Sequence, residues 1–253
     1  MMAFKDRTLI ITAILTLWLT TSLQAQDTYV RPQLWNNLSV AWGALDHLTL
    51  TGETAYNVLL SDELEWQEIT VSVNGIYRFH RFMAASAGIY LAWTRQEVNL
   101  NSFECRPNLG FLVNTNAEMR WLLTNLSKFE WRIFRYSDNT SNKTVRFRNR
   151  TYGVVSLIRP SLLDDHNLML FSYFELFLNF GMEVRERFFD QFKYKLGFAY
   201  RFNRSWNANL GMVLQDARNN LGEPAQLPVI VNTRWILEWG VNFVIPKAEK
   251  DQK

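Results

Sequence analysis

Charged side chains recur at alternate positions through much of this chain. Arg146, Arg148 and Arg150 sit two apart, and so do Glu104 and Arg106, Glu118 and Arg120, Glu130 and Arg132, and Lys193 and Lys195. Glu175, Arg201, Arg234 and Glu238 complete the set, with Glu53 and Glu68 nearer the N-terminus. Guanidinium and carboxylate groups spaced this way on neighbouring segments can form bidentate pairs. In a narrow interior they must pair, because an ionised group taken out of water without a partner is strongly destabilising. Two chemistries follow. One is an ion-pair network that fills and holds an enclosed polar space. The other is a pore lining in which Arg146, Arg148, Arg150, Lys193 and Lys195 favour anions.

A third chemistry, lipid hydrolysis by a Ser/His pair, would have to use His47, His80 or His166. The first two fall at expected strand ends or turns, and His166 follows Asp164-Asp165 in a loop. The chain has no Gly-x-Ser-x-Gly, no His-Glu-x-x-His and no glycine-rich phosphate loop. Asp164, Asp165 and Asp216 are conceivable calcium ligands, yet they fit solvated turns better. No catalytic residue, cofactor or metal is expected. The single Cys105 excludes an internal disulfide and a thiolate metal cluster. The net charge of +3 is spread among interleaved signs, with no basic footprint for nucleic acid.

A period of two positions these charges. Successive side chains of a strand turn to opposite faces. In Val229–Ile245, Trp235, Leu237, Trp239, Val241 and Phe243 share one face, and Arg234, Glu238 and Asn242 share the other. In Asp190–Phe202, Phe192, Tyr194, Phe198 and Tyr200 oppose Lys193, Lys195 and Arg201. The pattern yields about twelve strands: Val30–Trp42, His47–Leu60, Trp66–Phe79, Phe82–Gln96, Phe103–Val113, Ala117–Thr124, Lys128–Tyr136, Thr144–Ile158, Leu168–Phe180, Asp190–Phe202, Ser205–Gln215 and Val229–Ile245. A helical turn within Asn114–Lys128 is an alternative there. An even count puts both termini on one side of a membrane.

Residues 1–25 read as a cleaved signal peptide, with Lys5 and Arg7 before an apolar Leu9–Leu19 and Ala25 at the cut. Aromatics make up 15% of the chain, yet mean hydropathy is only −0.15. A barrel reconciles the two, because half of each strand faces a polar interior. A soluble exported barrel or sandwich, with the apolar face turned inward, would alternate in the same way. Long strands and Trp, Tyr and Phe near their ends favour the membrane.

Several stretches resemble a known family. They are Glu104–Pro107, Lys128–Arg135, Val145–Arg150, Phe174-Glu175, Phe188–Phe202 and Asn209–Gln215. Together they are similar to exported outer-membrane β-barrel proteins grouped as domain of unknown function 2490. The resemblance implies a barrel in a bacterial outer membrane and carries no assigned activity. The expectation is therefore an all-β, up-and-down antiparallel transmembrane barrel over residues 26–246, with a charged tail at 247–253. Its expected partners are outer-membrane lipid and, during biogenesis, the barrel-assembly machinery. Its role would be that of a small channel or a structural barrel, with a lipid-acting hydrolase as the alternative.

Overall fold

The computed structural model describes residues 32–60, 66–95, 101–115, 120–181, 189–218 and 232–245. The expected signal peptide, the C-terminal tail and Glu118 lie outside them. Eleven strands are described: β1 (Gln33–Gly43), β2 (Leu48–Leu59), β3 (Gln67–His80), β4 (Met83–Arg95), β5 (Ser102–Asn114), β6 (Trp121–Tyr136), β7 (Ser141–Ser156), β8 (Asn167–Gly181), β9 (Phe189–Arg201), β10 (Trp206–Arg218) and β11 (Asn232–Ile245). Each pairs antiparallel with its sequence neighbours, and β1 closes on β11 to complete a barrel. A strand of thirteen residues, such as β4, is about 40 Å long. Tilted by about 40° it covers roughly 30 Å along the barrel axis, the thickness of a bilayer's hydrocarbon core.

The burial pattern inverts that of a water-soluble protein. Arg132 and Glu175 are each 1% exposed, whereas Leu38 and Trp93 are 47% exposed and Phe198 is 53% exposed. In water each exposed side chain of that size would forgo about 1.5–3 kcal/mol of burial. Lipid removes that penalty, and a closed sheet leaves no strand edge unpaired in hydrocarbon. The fold is thus a transmembrane β-barrel with its apolar face outward.

The expected count of about twelve differs from the eleven described because of one local feature. The separate strands expected at Ala117–Thr124 and Lys128–Tyr136 are one continuous strand, β6, which pairs with β7 from Trp121↔Val155 to Arg135↔Ser141. Asn125 and Ser127 read as a turn by residue type, but alternation runs through them unbroken. No helical turn forms over the described part of Asn114–Lys128. An odd number of strands makes the β1–β11 pairing parallel, from Gln33↔Ile236 to Trp42↔Ile245. The wall therefore begins at one end of the barrel and finishes at the other, which corrects the expectation that both termini lie on one side. The connections 44–47, 81–82 and 202–205 fall at the end where β1 finishes, together with the ten-residue 157–166, and the four-residue 137–140 and the longest, 219–231, fall at the opposite end.

Candidate functional site: the lumen charge network

The site arises from adjacent strands that place opposite charges at facing inward positions. Register sets Glu130 of β6 against Arg146 of β7, Arg150 of β7 against Glu175 of β8, and Glu175 against Lys193 of β9. Three carboxylates act as hubs. Glu104 accepts from Arg106 Nε at 2.8 Å and from Arg132 Nε at 2.6 Å. Glu130 accepts from Arg146 Nε at 2.8 Å and lies 3.8 Å from Arg106 Nη1 and 3.4 Å from Arg148 Nη1. Glu175 accepts from Arg148 Nε and from Arg150 Nε, the latter at 2.7 Å. Shared arginines join the hubs into one chain from Arg132 to Arg150. A separate pair, Lys195 Nζ to Glu238 Oε1 at 3.0 Å, links β9 to β11.

Aromatic rings complete the seats of these cations. Arg106 lies over Tyr90 at 4.2 Å, Arg150 over Tyr173 at 4.6 Å, Arg146 over Phe177 at 4.7 Å, and Lys193 over Trp35 at 4.8 Å. Sequence reasoning that assigned aromatics to the outward face missed these inward rings. Their signal is parity: Tyr173 and Phe177 stand two residues either side of Glu175 and must share its face.

Exposure separates the two signs around Arg148 and Arg150. The Glu175, Glu130 and Glu104 side chains are 2%, 3% and 5% exposed, whereas those of Arg148 and Arg150 are 21% and 32% exposed. Arg148 and Arg150 form the surface seen from the lumen, while Arg106, Arg132 and Arg146 are buried together with the carboxylates. Five guanidiniums share three carboxylates, so the cluster is left with excess positive charge.

The remaining wall presents mainly hydroxyls and amides, including Ser39, Thr51, Asn57, Thr70, Ser72, Asn74 and Ser86 on β1–β4, with Glu53 and Glu68 among them, and Asn207, Asn209 and Asn242 on β10 and β11. Asn57 donates to Glu68 at 3.1 Å, and Lys128 reaches across to Asn74 Oδ1 at 3.5 Å. Between the two walls lies a cavity of about 670 Å³. Inward glycines keep it clear. A Cβ on Gly110 would stand 2.8 Å from Lys128 Cγ and 2.6 Å from Ser86 Oγ, and one on Gly211 would stand 2.7 Å from Lys195 Cε. Both lysine stems thus lie flat along the wall instead of projecting inward.

Two of the expected charges sit at the rim. Arg120 donates to the Ser156 and Leu157 carbonyls at 3.0 and 3.2 Å. Arg201 stands 4.0 Å from Asp165. Arg234 pairs with Gln215 through the backbone, and its side chain lies outside the described residues, as does that of Asp216. The hydrolase alternative gains no support. His47, His80 and His166 all occupy the end of the barrel where β1 finishes, away from the network. His80 Nδ1 accepts from the Phe82 amide at 3.3 Å. Among the described residues no three His, Cys, Asp or Glu side chains gather as metal ligands.

Among solved structures the chain is similar to the NanC porin in a rhombohedral crystal form, with 11% identity and a TM-score of 0.43 over 74% of this chain and 87% of that one. No curated protein matches it. The family model described as "Protein of unknown function (DUF2490)" matches residues 32–224, and the chain, a closed barrel with a charge-paired interior, belongs to that family.

Proposed function

We propose that the protein is a narrow, water-filled channel of the bacterial outer membrane that favours small anions over cations. The observation carrying this reading is the difference in exposure: the lumen meets Arg148 and Arg150, while Glu130 and Glu175 are covered. Rings and strips of Arg or Lys at a constriction set anion selectivity. The cavity supports a hydrated path. Asn57 Oδ1 and Ser86 Oγ line it, are buried, and have no hydrogen-bond partner among the described residues, so they call for water or a polar solute. Asn57 must direct its amide nitrogen at Glu68, an acceptor, which leaves its oxygen for the lumen.

Export would use residues 1–25 as a removed signal. Insertion would use the assembly machinery of the outer membrane, reading a last strand with aromatics at alternate positions such as Trp239 and Phe243. The short turns would then face the periplasm.

The test is conductance in planar bilayers under a potassium chloride gradient. A channel gives discrete steps with a reversal potential on the chloride side. The double substitution Arg148→Gln and Arg150→Gln shifts that potential toward zero or past it. A folded barrel that passes no current makes the protein a structural component, whose charge pairs serve only to hold the wall. Release of fatty acid from labelled phospholipid would revive the hydrolase.

A further inference from the structure

On the lipid-facing side β7 differs from the other ten strands. Each of them has at least one large apolar side chain well exposed to lipid, whereas Val145, Phe147 and Val155 on the outward face of β7 are half-buried. Its outward positions include Asn149, Thr151 and Gly153. Register places these beside Ser127, Asn125 and Leu123 of β6, and Gly153 beside Ser172 of β8. The result is a polar patch on an otherwise oily wall. It does not lie at the rim. Trp121 and Leu123 flank it on one side along β6 and Phe129 and Trp131 on the other, while Val155 and Phe147 bracket it along β7.

The patch is bonded internally but incompletely. Asn125 and Asn149 donate to each other's Oδ1 at 3.2 and 3.1 Å. Their second amide hydrogens go to Thr151 Oγ1 at 2.9 Å and Ser127 Oγ at 2.8 Å. Both amide groups are then used up as donors. What is left is one lone pair on each amide oxygen and the two hydroxyl hydrogens of Ser127 and Thr151, for which the described hydrogen bonds give no acceptor. Two other outward polar residues are closed within the sheet. Thr54 donates its hydroxyl to the Thr70 carbonyl at 3.0 Å. Asn36 donates to the Tyr56 carbonyl at 2.8 Å and accepts from Trp239.

Hydrocarbon supplies no partner for free donors and acceptors. Lipid head groups lie beyond the apolar residues that bracket the patch, so another protein wall must supply the partner. Two donors and two acceptors on one copy match two acceptors and two donors on another, which is the self-complementarity a two-fold contact requires. Gly153 and Ser172 beside the patch add little bulk and let two walls approach. We propose that the Asn125–Ser127–Asn149–Thr151 face of β6 and β7 is the surface through which a second copy of this chain docks within the membrane. The proposal rests on the transmembrane barrel and is independent of whether the lumen conducts.

The experiment follows full-length protein, labelled on its C-terminal tail and reconstituted in phosphatidylcholine vesicles, by single-molecule photobleaching across a protein-to-lipid dilution series. Wild-type protein should bleach in two steps at high ratio and in one step on dilution. The quadruple variant Asn125→Leu, Ser127→Ala, Asn149→Leu and Thr151→Val removes every donor and acceptor of the patch from the lipid side and leaves the inward faces untouched, so the barrel is retained. It should need about ten-fold or more protein to reach the same dimer fraction, the scale of a few side-chain hydrogen bonds in lipid. Val71→Ala, on the outward face of β3, should leave the midpoint where it is. One-step bleaching of the wild type at every ratio overturns the proposal. So does a dimer whose midpoint ignores the quadruple variant, which would place the contact elsewhere on the wall.

Discussion

The wall built by β5–β9 and the wall built by β1–β4 enclose the same lumen by different means. The first packs five guanidiniums and three carboxylates into a continuous chain, with Arg132 and Glu175 almost wholly buried. The second presents amides and hydroxyls, of which Asn57 Oδ1 and Ser86 Oγ have no hydrogen-bond partner among the described residues. Buried charge must be paired, because an ionised group taken out of water needs its counterpart. Neutral amides and hydroxyls can use water instead. The charged wall is therefore dense and fixed, while the polar wall borders open space.

The largest expected effect that sharpens this contrast is at a hub of the charged wall. Glu175→Gln takes the charge from between Arg148 and Arg150 and should destabilise the folded barrel by about 3–5 kcal/mol, as for breaking a buried pair. Urea unfolding in lipid vesicles, followed by tryptophan fluorescence, reads it. A loss under about 1 kcal/mol would mean that water already carries those charges.

Gly110→Val comes next. Its side chain must displace Lys128 or Ser86, at 2.8 and 2.6 Å from the new Cβ. Overpacking of this kind costs about 1–3 kcal/mol, and a lysine pushed off the wall should lower single-channel conductance. Gly52→Ala, where nothing stands within 4 Å of the new Cβ, should change neither. Equal effects at the two glycines would remove the role assigned to the inward ones.

The smallest effect belongs to the polar wall. Ser72→Ala should cost less than about 1 kcal/mol, because cavity water can satisfy its neighbours. A loss as large as that of Glu175→Gln would show that the two walls do not differ in the way described.

Much of this arrangement is legible in the sequence, and particular residues show where legibility ends. Alternation assigns Phe129 and Trp131 to lipid and Glu130 and Arg132 to the lumen, as the barrel has them. Composition misleads at Asn125 and Ser127, which read as a break between strands and lie in the middle of β6. A polar residue facing outward looks like a turn until its neighbours on β7 are known. Inward rings such as Tyr90 and Phe177 are hidden by the general rule that aromatics face lipid.

Which side chains share a face was settled by the sequence alone, because the geometry of an extended backbone fixes it within two residues. Which residues meet was settled by the tertiary structure. Glu130 is set opposite Arg146 only by the β6–β7 register, and it reaches Arg106 and Arg148 only because three strands curve around it. The count of eleven and the parallel β1–β11 seam were likewise decided by closure. Closure joins segments some 200 residues apart, and no local pattern encodes where a sheet meets itself.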